Sequence, residues 1–333
     1  MGMSETGLGN IFICGRSALR IYRSQTELAH ISRLLYQRTR RATPRLPRPT
    51  APTAKTCQAI AAMYRIPLPL DTLVVRTCDR RKHSGATTSL DADPAHAASF
   101  IELEPSIYLA SPELVYYQLA RGVDAARAWM LAMELVGCYA LEIEGDGMHG
   151  RVPLTTPAAL DAFFEASATP CRKAPARRIL EVLTPGARSP REAQLAALAR
   201  LPRRWGGWGI PGIALNRRLE LTPAARTVAD RSYLEVDMYI EALGPVLEYD
   251  SDDFHLTREA HERDARKINA LKMMGVRLMS ITNGQLASWE ALNALMDGLE
   301  RDGAFHRHPA TPGIRDKQRA LWERLLSAET TVR

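Results

Sequence analysis

The sequence lacks the features that would assign it to the membrane or to the secretory pathway. The most apolar helical segment, residues 128–141, is too short to span a bilayer and contains Glu134. The amino terminus has no basic start followed by a long apolar run, so no signal peptide is expected. We therefore expect a cytoplasmic protein without membrane contact.

Cysteine is scarce and poorly arranged for cross-linking. The five cysteines are scattered, odd in number and without a C-x-x-C pair, which argues against a disulfide framework or a zinc finger. We expect reduced thiols at Cys14, Cys57, Cys78, Cys138 and Cys171. Internal repeats, a P-loop and a G-x-S-x-G nucleophile elbow are also absent from the sequence.

Length and composition predict an α/β protein with two domains. The 333 residues are 46% hydrophobic, which is sufficient for two cores. We expect a segment with a basic linker at residues 1–54, a smaller α/β domain at 55–167, a second domain at 168–300 and a helical extension at 301–333. The formal charge of +7 is compatible with a polyanionic partner.

Three carboxylates lie on two predicted strands in the carboxy-terminal half. Residues 234–240 alternate between apolar and polar side chains, which places Asp237 on the polar face of a strand. A Gly-Pro turn follows, and residues 246–250 are predicted to form the partner strand. Glu248 and Asp250 share a face because they are two residues apart. If the strands pair as a hairpin, Asp237 comes close to Glu248.

Two interpretations of these acidic strands are open. Converging carboxylates repel one another and lose solvation, so a bound divalent cation is one reason to bring them together. Ligands that are all oxygen favour Mg²⁺ or Mn²⁺ over zinc. The alternative is a solvated hairpin whose acidic residues face water.

A helix and a third strand are predicted to follow the hairpin. Residues 257–274 have the apolar spacing of a helix with one buried stripe, and Gly275 is placed to end it. Residues 276–281 then alternate as a strand. Basic residues lie along the helix at Arg263, Arg266, Lys267 and Lys272.

The order of these residues resembles the PD-(D/E)XK restriction-endonuclease-like superfamily. The similarity covers roughly residues 188–286 and is greatest to the branch with very-short-patch repair endonuclease-like proteins and uncharacterised bacterial relatives. It depends on Asp237, on Glu248-Tyr-Asp250, and on Asp264-x-x-Lys267-x-Asn269-Ala-Leu271-x-x-x-Gly275-Val. The resemblance implies a mixed sheet flanked by helices.

The resemblance also implies a role for each matching residue. Asp237 and Glu248 correspond to metal ligands on adjacent strands, and Asp250, expected to assist the metal, stands where the superfamily usually has lysine. His255 matches a histidine that follows the second strand and is expected to assist water or phosphate chemistry. Because no lysine lies two residues after Glu248, Lys267 or His255 would have to supply the missing cation.

A glutamate on the helix before the hairpin is a further expected member of the site. Glu192, in Ser189-Pro190-Arg191-Glu192, is the residue that would match. Ser-x-x-Glu with proline at the first helical position is also a helix capping box. Both roles are open for Glu192.

Several basic segments are candidates for contact with a nucleic acid. The Arg203-Arg204-Trp205-Gly-Gly-Trp208 loop could hold phosphates and stack on bases, or its tryptophans could pack in the core. Arg263 and Arg266 are the other expected contacts. The arginines and prolines of residues 38–49 predict an extended linker, which either lies along phosphates or is solvated.

The amino-terminal half is similar to a different family. Residues 107–113, Ile-Tyr-Leu-Ala-Ser-Pro-Glu, join a predicted strand to a helix. This pattern is similar to the type IV abortive-infection antitoxins and their relatives, and implies an antitoxin-like domain at residues 55–167. A helix pair is expected at 114–122 and 125–141, with apolar positions that form an ordinary core.

Two functions are compatible with the sequence. The resemblance implies a Mg²⁺-dependent endonuclease that hydrolyses DNA phosphodiesters in defence or DNA repair, although RNA is not distinguished from DNA as the substrate. The missing lysine favours the alternative, a non-catalytic protein with a nuclease fold. Such a protein would bind DNA or regulate a protein partner from a toxin-antitoxin or defence operon.

Overall fold

The protein is an α/β protein, as the sequence predicts, with a five-stranded, a four-stranded and a two-stranded sheet among its described residues. The computed structural model describes residues 9–38, 46–145, 147–167, 175–241, 244, 246–250, 258–303, 305 and 309–327. For residues 28, 38, 246–250 and 258–261 this description covers the backbone alone. No described helix combines the length and apolar character needed to cross a membrane.

The chain folds as two compact units. In the described part of the chain, the first unit comprises residues 9–124 and 134–181, and the second comprises residues 125–133 and 182–327. The boundary falls inside one helix, which contributes residues 125–133 to the second unit and its remaining residues to the first.

The first unit is built around the five-stranded sheet. The strands of the unit are β1 (Ile11–Ile13), β2 (Leu70–Val74), β3 (Ala86–Leu90), β4 (Phe100–Glu104), β5 (Ile107–Ala110), β6 (Tyr139–Leu141) and β7 (Met148–Gly150). The strand order of the five-stranded sheet is β3-β2-β1-β5-β4, and its central strand β1 pairs in parallel with β5 and antiparallel with β2. Its helices are α1 (Gly15–Tyr22), α2 (Leu28–Arg38), α3 (Ala54–Tyr64), α4 (Pro94–Ala97), α5 (Pro112–Leu119), α7 (Pro157–Ala166) and α8 (Pro175–Leu180), with α6 (Ala125–Val136) shared between the units.

A buried group of three charges lies in the core of the first unit. Glu134 accepts two hydrogen bonds of 2.7 Å from Arg23, one on each carboxylate oxygen. Arg151 donates to the backbone carbonyls of Tyr139 and Glu134. The three charged side chains are almost completely withdrawn from solvent. The Glu134 carboxylate therefore supplies negative charge next to two buried guanidinium groups.

The second unit contains the four-stranded sheet. Its strands are β8 (Ile213–Glu220), β9 (Tyr233–Ile240), β10 (Val246–Asp250) and β11 (Leu278–Thr282), in the spatial order β11-β10-β9-β8. Its helices are α9 (Pro190–Arg200), α10 (Pro223–Ala229), α11 (Arg258–Met273), α12 (Asn283–Ala287), α13 (Trp289–Gly303) and α14 (Pro312–Leu326). Strands β8, β9 and β10 run antiparallel in succession, and β11 lies parallel to β10. The connection from β10 to β11 contains α11, as parallel neighbours require.

One face of this sheet is apolar and carries helices α10 and α11. Leu234 and Val236 of β9 are buried against Ala225 of α10 and against Ala270 and Leu271 of α11. These side chains come from the apolar positions of the alternating strand and from the apolar stripe of the helix. The predicted order of strand, strand, helix and strand between residues 233 and 282 is therefore present.

Helix starts in both units follow one local rule. A serine, threonine or aspartate side chain accepts a backbone N–H of the first turn, and proline follows at the first helical position, where its missing N–H is not needed. The capping residues are Asp93 (α4), Ser111 (α5), Thr156 (α7), Ser189 (α9) and Thr222 (α10). The starts that the sequence predicts at Ser111 and Ser189 are confirmed.

Some sequence predictions of secondary structure are wrong. The helix predicted at residues 125–141 ends at Val136, because residues 139–141 form β6 and pair antiparallel with β7. Strands β3 and β8 and helix α10 were not predicted. In the basic linker, Arg48 is paired with Asp79 at 2.5 Å, whereas residues 39–45 lie outside the described part of the chain.

The glycines of the Arg203–Gly209 loop serve close packing instead of flexibility. Trp208 is fully buried, which places this tryptophan in the core. Gly206 has a φ of +91°, and a Cβ there would lie well inside contact distance of the Lys317 carbonyl oxygen. A Cβ on Gly207 would collide in the same way with the backbone of Leu201. The loop is therefore fixed against its surroundings by main-chain contacts.

Replacing Gly206 by alanine is expected to destabilise the second unit by about 2–4 kcal/mol, because left-handed strain and overpacking add together. Gly298→Ala is the matched control. Gly298 lies within α13 with open space around it, so alanine there should raise the free energy of unfolding by as much as ~1 kcal/mol. All five tryptophans belong to the second unit, so urea unfolding followed by tryptophan fluorescence reports on it. Equal midpoints for the two variants would contradict the packing argument.

Candidate functional site

Asp237 lies on the polar face of β9. The strand alternates between buried and more exposed residues, with Leu234, Val236, Met238 and Ile240 buried. Asp237 belongs to the opposite set and is half-buried. The alternation that the sequence predicts for this strand is thus confirmed, and Asp237 is kept apart from the apolar face that packs against α10 and α11.

The sheet register aligns Asp237 with one residue on each neighbouring strand. On β8, the pairs Leu215–Met238 and Arg217–Val236 leave Asn216 across from Asp237. On β10, the backbone pairs Val246–Tyr239 and Leu247–Met238, continued by one residue, bring Glu248 to the position across from Asp237. Glu248 is in turn paired with Ser280 of β11. We call Asn216, Asp237, Glu248 and Ser280 the register row.

Glu192 of α9 is joined to this row by hydrogen bonds. Its Oε2 accepts the Asn216 side-chain amide at 2.5 Å and the backbone N–H of Arg188 at 2.9 Å. Its Oε1 accepts the Ser189 hydroxyl at 3.0 Å, while Ser189 accepts the backbone N–H of Glu192 at 3.1 Å. Ser189 therefore caps the helix, whereas the Glu192 carboxylate accepts from Arg188 and Ser189 without binding the Ser189 backbone N–H that a full capping box would use. The same carboxylate also reaches the strand beside Asp237.

Negative charge is concentrated where Glu192 approaches Asp237. Burial raises the pKa of the Glu192 carboxyl above its ordinary value, and the charge of Asp237 contributes to the increase. The hydrogen bonds that Glu192 accepts act in the opposite direction without cancelling it. Carboxylates that lie close together are an electrostatic arrangement that a bound cation would stabilise.

The other acidic candidates are only partly described. The backbones of Glu248 and Asp250 belong to β10, but their side chains lie outside the described part of the structure. The predicted His255 lies outside the described residues altogether, as do His306 and His308. Among the side chains that are described, no group of three His, Cys, Asp or Glu residues could hold a metal ion.

The residues that are described nevertheless suit a hard divalent cation at the register row. Asp237 and Glu192 present carboxylate oxygens, the ligand type that Mg²⁺ and Mn²⁺ prefer. Burial is the main cause of the raised pKa of Glu192, and the charge of Asp237 makes a smaller contribution in the same direction. If a cation binds, Asp237 and Glu248 are the residues that would hold it, with Asp250 beside them on β10.

The basic residues of α11 differ in their surroundings. Arg263 and Arg266 are exposed, whereas Lys267 is half-buried. The Lys267 charge contributes to lowering the pKa of Glu235 on β9, although the main cause is the hydrogen bond from Arg188 at 2.6 Å. The charge of Lys267 thus acts on Glu235, which lies two residues before Asp237 on β9.

The arginines of the Arg203–Gly209 loop have separate partners. Arg203 forms an ion pair with Glu300 of α13, and both side chains are largely buried. Arg204 is exposed, and its guanidinium lies 4.7 Å from the centre of the Trp205 ring. Of the two arginines, Arg204 is the one with a surface position that a ligand could reach.

A second polar cluster, in the first unit, has the composition of an acid–histidine–serine relay. Asp91 Oδ2 lies 2.7 Å from His96 Nδ1, and Ser167 Oγ lies 3.0 Å from His96 Nε2. The Ser167 hydroxyl also donates to the Phe163 carbonyl at 2.9 Å, and both Ser167 and His96 are buried. A nucleophilic serine must be reachable by its substrate, so this cluster serves to join α4 to the end of α7.

Asn216 is the residue of the site that the sequence prediction missed. Strand β8 was not predicted, so no residue on it was considered. Asparagine is uncommon within strands and frequent at left-handed positions. The single asparagine inside Ile213-Ala-Leu-Asn-Arg-Arg-Leu was therefore the feature of the sequence that could have indicated an irregular position in a strand.

The four described cysteines, Cys14, Cys57, Cys78 and Cys138, are free thiols, and Cys171 lies outside the described residues.

Comparisons of the chain with protein-family models, with curated proteins and with solved structures found no match. The functional argument therefore depends on the chain's own residues and on their geometry.

Proposed function

We propose that the protein is a divalent-cation-dependent endonuclease that hydrolyses DNA phosphodiester bonds. The observation that carries the proposal is the register of β9 and β10, whose pairs Val246–Tyr239 and Leu247–Met238, continued by one residue, bring the backbone positions of Asp237 and Glu248 opposite each other. The resemblance to the PD-(D/E)XK superfamily assigns metal-binding roles to the same two residues. Sequence motif and strand register thus support one site.

The chemistry of the site follows from its acids. A bound Mg²⁺ or Mn²⁺ would polarise the phosphate and lower the pKa of a bound water. Asp237 would hold the cation from β9, and Glu248 and Asp250 would hold it from β10. Glu192, fixed by three hydrogen bonds, would keep the negative field next to Asp237 constant. His255 and Lys267 are the proposed groups for proton transfer and charge stabilisation.

The absence of a lysine two residues after Glu248 supports the competing proposal, a non-catalytic protein that kept the nuclease fold to bind DNA or a defence-system partner. Lys267 offers an alternative cation, because its charge reaches Glu235 on the polar face of β9. We propose that Lys267 replaces the usual lysine, which favours the enzyme over the binding protein.

Incubation of the purified protein with supercoiled plasmid, linear duplex and single strands, with and without Mn²⁺, tests the proposal directly. Cation-dependent nicking or cutting of DNA is the expected result, and parallel RNA substrates identify the preferred polymer. DNA that is bound in gel-shift experiments and never cleaved at any Mn²⁺ concentration would favour the non-catalytic alternative.

The exposed cations of α11 are expected to supply salt-sensitive affinity for DNA. The double variant Arg263→Ala/Arg266→Ala should bind duplex more weakly and should lower the slope of log affinity against log salt by about 2, because each phosphate contact contributes roughly 0.9. Fluorescence anisotropy over a salt series gives this slope.

Arg203→Ala is the matched control for the salt series. Arg203 is paired with Glu300, so its removal should leave the slope unchanged. Arg204→Ala should reduce the slope by about 1, because that guanidinium is exposed. An equal loss of slope for Arg203→Ala would show that the ion pair opens toward DNA.

A further inference from the structure

Asn216 has a backbone conformation that regular strands do not use. Its φ is +47°, in the left-handed region, although it lies in the middle of β8. The neighbouring residues keep their pairing with β9, since Leu215 pairs with Met238 and Arg217 with Val236. The strand thus keeps its register while the geometry changes locally at Asn216. A strained residue of this kind persists only where its surroundings hold it.

The side chain of Asn216 shows what holds it. Its amide nitrogen donates to Glu192 Oε2 at 2.5 Å and to the Gly186 carbonyl at 3.0 Å. Both partners are acceptors, so the nitrogen of the amide must face them. One side chain therefore joins β8 to the loop before α9 and to the carboxylate at the start of that helix.

Glu192 has little freedom left in this arrangement. A carboxylate offers about four acceptor sites, and three are used by Arg188 N–H, the Ser189 hydroxyl and the Asn216 amide. The Arg188 N–H and the Ser189 hydroxyl come from the residues just before α9 and hold the carboxylate at the start of the helix. The Asn216 amide is the donor that comes from the sheet, across from Asp237 in the register.

We propose that Asn216 is a positioning residue that fixes the Glu192 carboxylate beside Asp237 and so sets the affinity of the register row for a divalent cation. This inference rests on the proposed function, because it needs a cation at Asp237 and Glu248. Asn216 contributes no ligand atom in this role. It acts by keeping one acid in place, which lowers the reorganisation needed when the cation binds.

The test compares Mn²⁺ binding by isothermal titration calorimetry in the wild type and in two variants. Asn216→Gly keeps access to positive φ and removes the amide, whereas Asn216→Ala removes the amide and adds backbone strain. Both variants should bind Mn²⁺ about tenfold more weakly. Removing a hydrogen-bond partner near metal ligands typically lowers metal affinity by roughly ten- to a hundredfold, and we expect the smaller loss here. The alanine variant alone should also melt at a clearly lower temperature without metal. DNA cleavage by the glycine variant should recover at high Mn²⁺.

Thr222→Ala is the matched control for a purely structural effect. Thr222 caps α10 directly after β8, so its loss lowers stability in the same unit without touching Glu192. Its Mn²⁺ affinity should equal that of the wild type. Equal affinities for the wild type and Asn216→Gly, or an equal loss in Thr222→Ala, would overturn the positioning role alone. Absence of binding heat in the wild type would overturn the proposed function and this inference with it.

Discussion

Replacing Asp237 by asparagine is expected to lower cation-dependent DNA cleavage about a thousandfold. A bound metal contributes several kcal/mol of charge stabilisation. Roughly 1.4 kcal/mol corresponds to a factor of ten in rate, so a loss of about 4 kcal/mol accounts for the effect. Glu248→Gln should give a loss of similar size, because continuing the register of β9 and β10 by one residue brings Glu248 opposite Asp237. Initial cleavage rates of supercoiled plasmid across a Mn²⁺ series measure both variants.

Glu220→Gln provides the control for the cleavage experiment. Glu220 is an exposed carboxylate on the same sheet, at the end of β8 and away from the register row. Its substitution should leave the cleavage rate within a factor of two or so, as expected for a surface change. Tryptophan fluorescence of each variant verifies that the second unit is folded. Undiminished cleavage by Asp237→Asn would remove the metal-binding role and the proposed function.

Replacing Glu134 by glutamine is expected to destabilise the first unit by about 3–5 kcal/mol, the usual effect of removing one partner from a buried ion pair. Burial alone would raise the pKa of Glu134, but the charge and hydrogen bonds of Arg23 hold the pKa below its ordinary value. Burial also lowers the pKa of Arg151. Without the carboxylate, both buried guanidinium groups lose the favourable charge interaction with Glu134. Hydrogen exchange of peptides covering residues 11–22 and 139–151 measures the loss.

Lowering the pH should reproduce part of this loss of stability in the wild-type protein. The folded pKa of Glu134 lies below its unfolded value of about 4.3, so its stabilisation is complete above that pH and is lost as the pH falls through the folded pKa. The exposed pair of Arg319 with Glu323 is the control, since Glu323→Gln should change stability by less than about 0.5 kcal/mol. Exchange rates in the first unit that are unchanged by Glu134→Gln would contradict a stabilising role.

Local patterns in the sequence determine much of the second unit. The alternation of residues 234–240, the apolar stripe of the following helix and Ser189-Pro190 each predict an element that the structure contains. These signals come from residues within a few positions of one another. Strand β8 gave no comparable signal, because its outward positions carry arginines and its alternation is interrupted at Asn216.

Contacts between distant residues could not be predicted in this way. Arg203 and Glu300 are 97 residues apart, and the loop around Arg203 suggested a surface for nucleic acid until this pair was located. Arg23 and Glu134 are 111 residues apart, so neither residue alone indicates a buried ion pair. Charge pairing of this kind depends on which elements pack together, and a single sequence does not contain that information in local form.

The helix that is shared between the two units has a consequence for dividing the protein. A fragment that begins at residue 182 lacks residues 125–133 and therefore lacks Trp129, which is fully buried and donates to the Ala193 carbonyl at 2.9 Å. Such a fragment would expose the apolar surface that this indole covers and would remove the indole N–H that donates to the Ala193 carbonyl of α9. A fragment that ends at residue 181 would instead contain Trp129 without the Ala193 carbonyl that accepts its indole N–H. Protein engineering that separates the halves must therefore respect a discontinuous boundary, by grafting residues 125–133 onto the carboxy-terminal piece or by circular permutation.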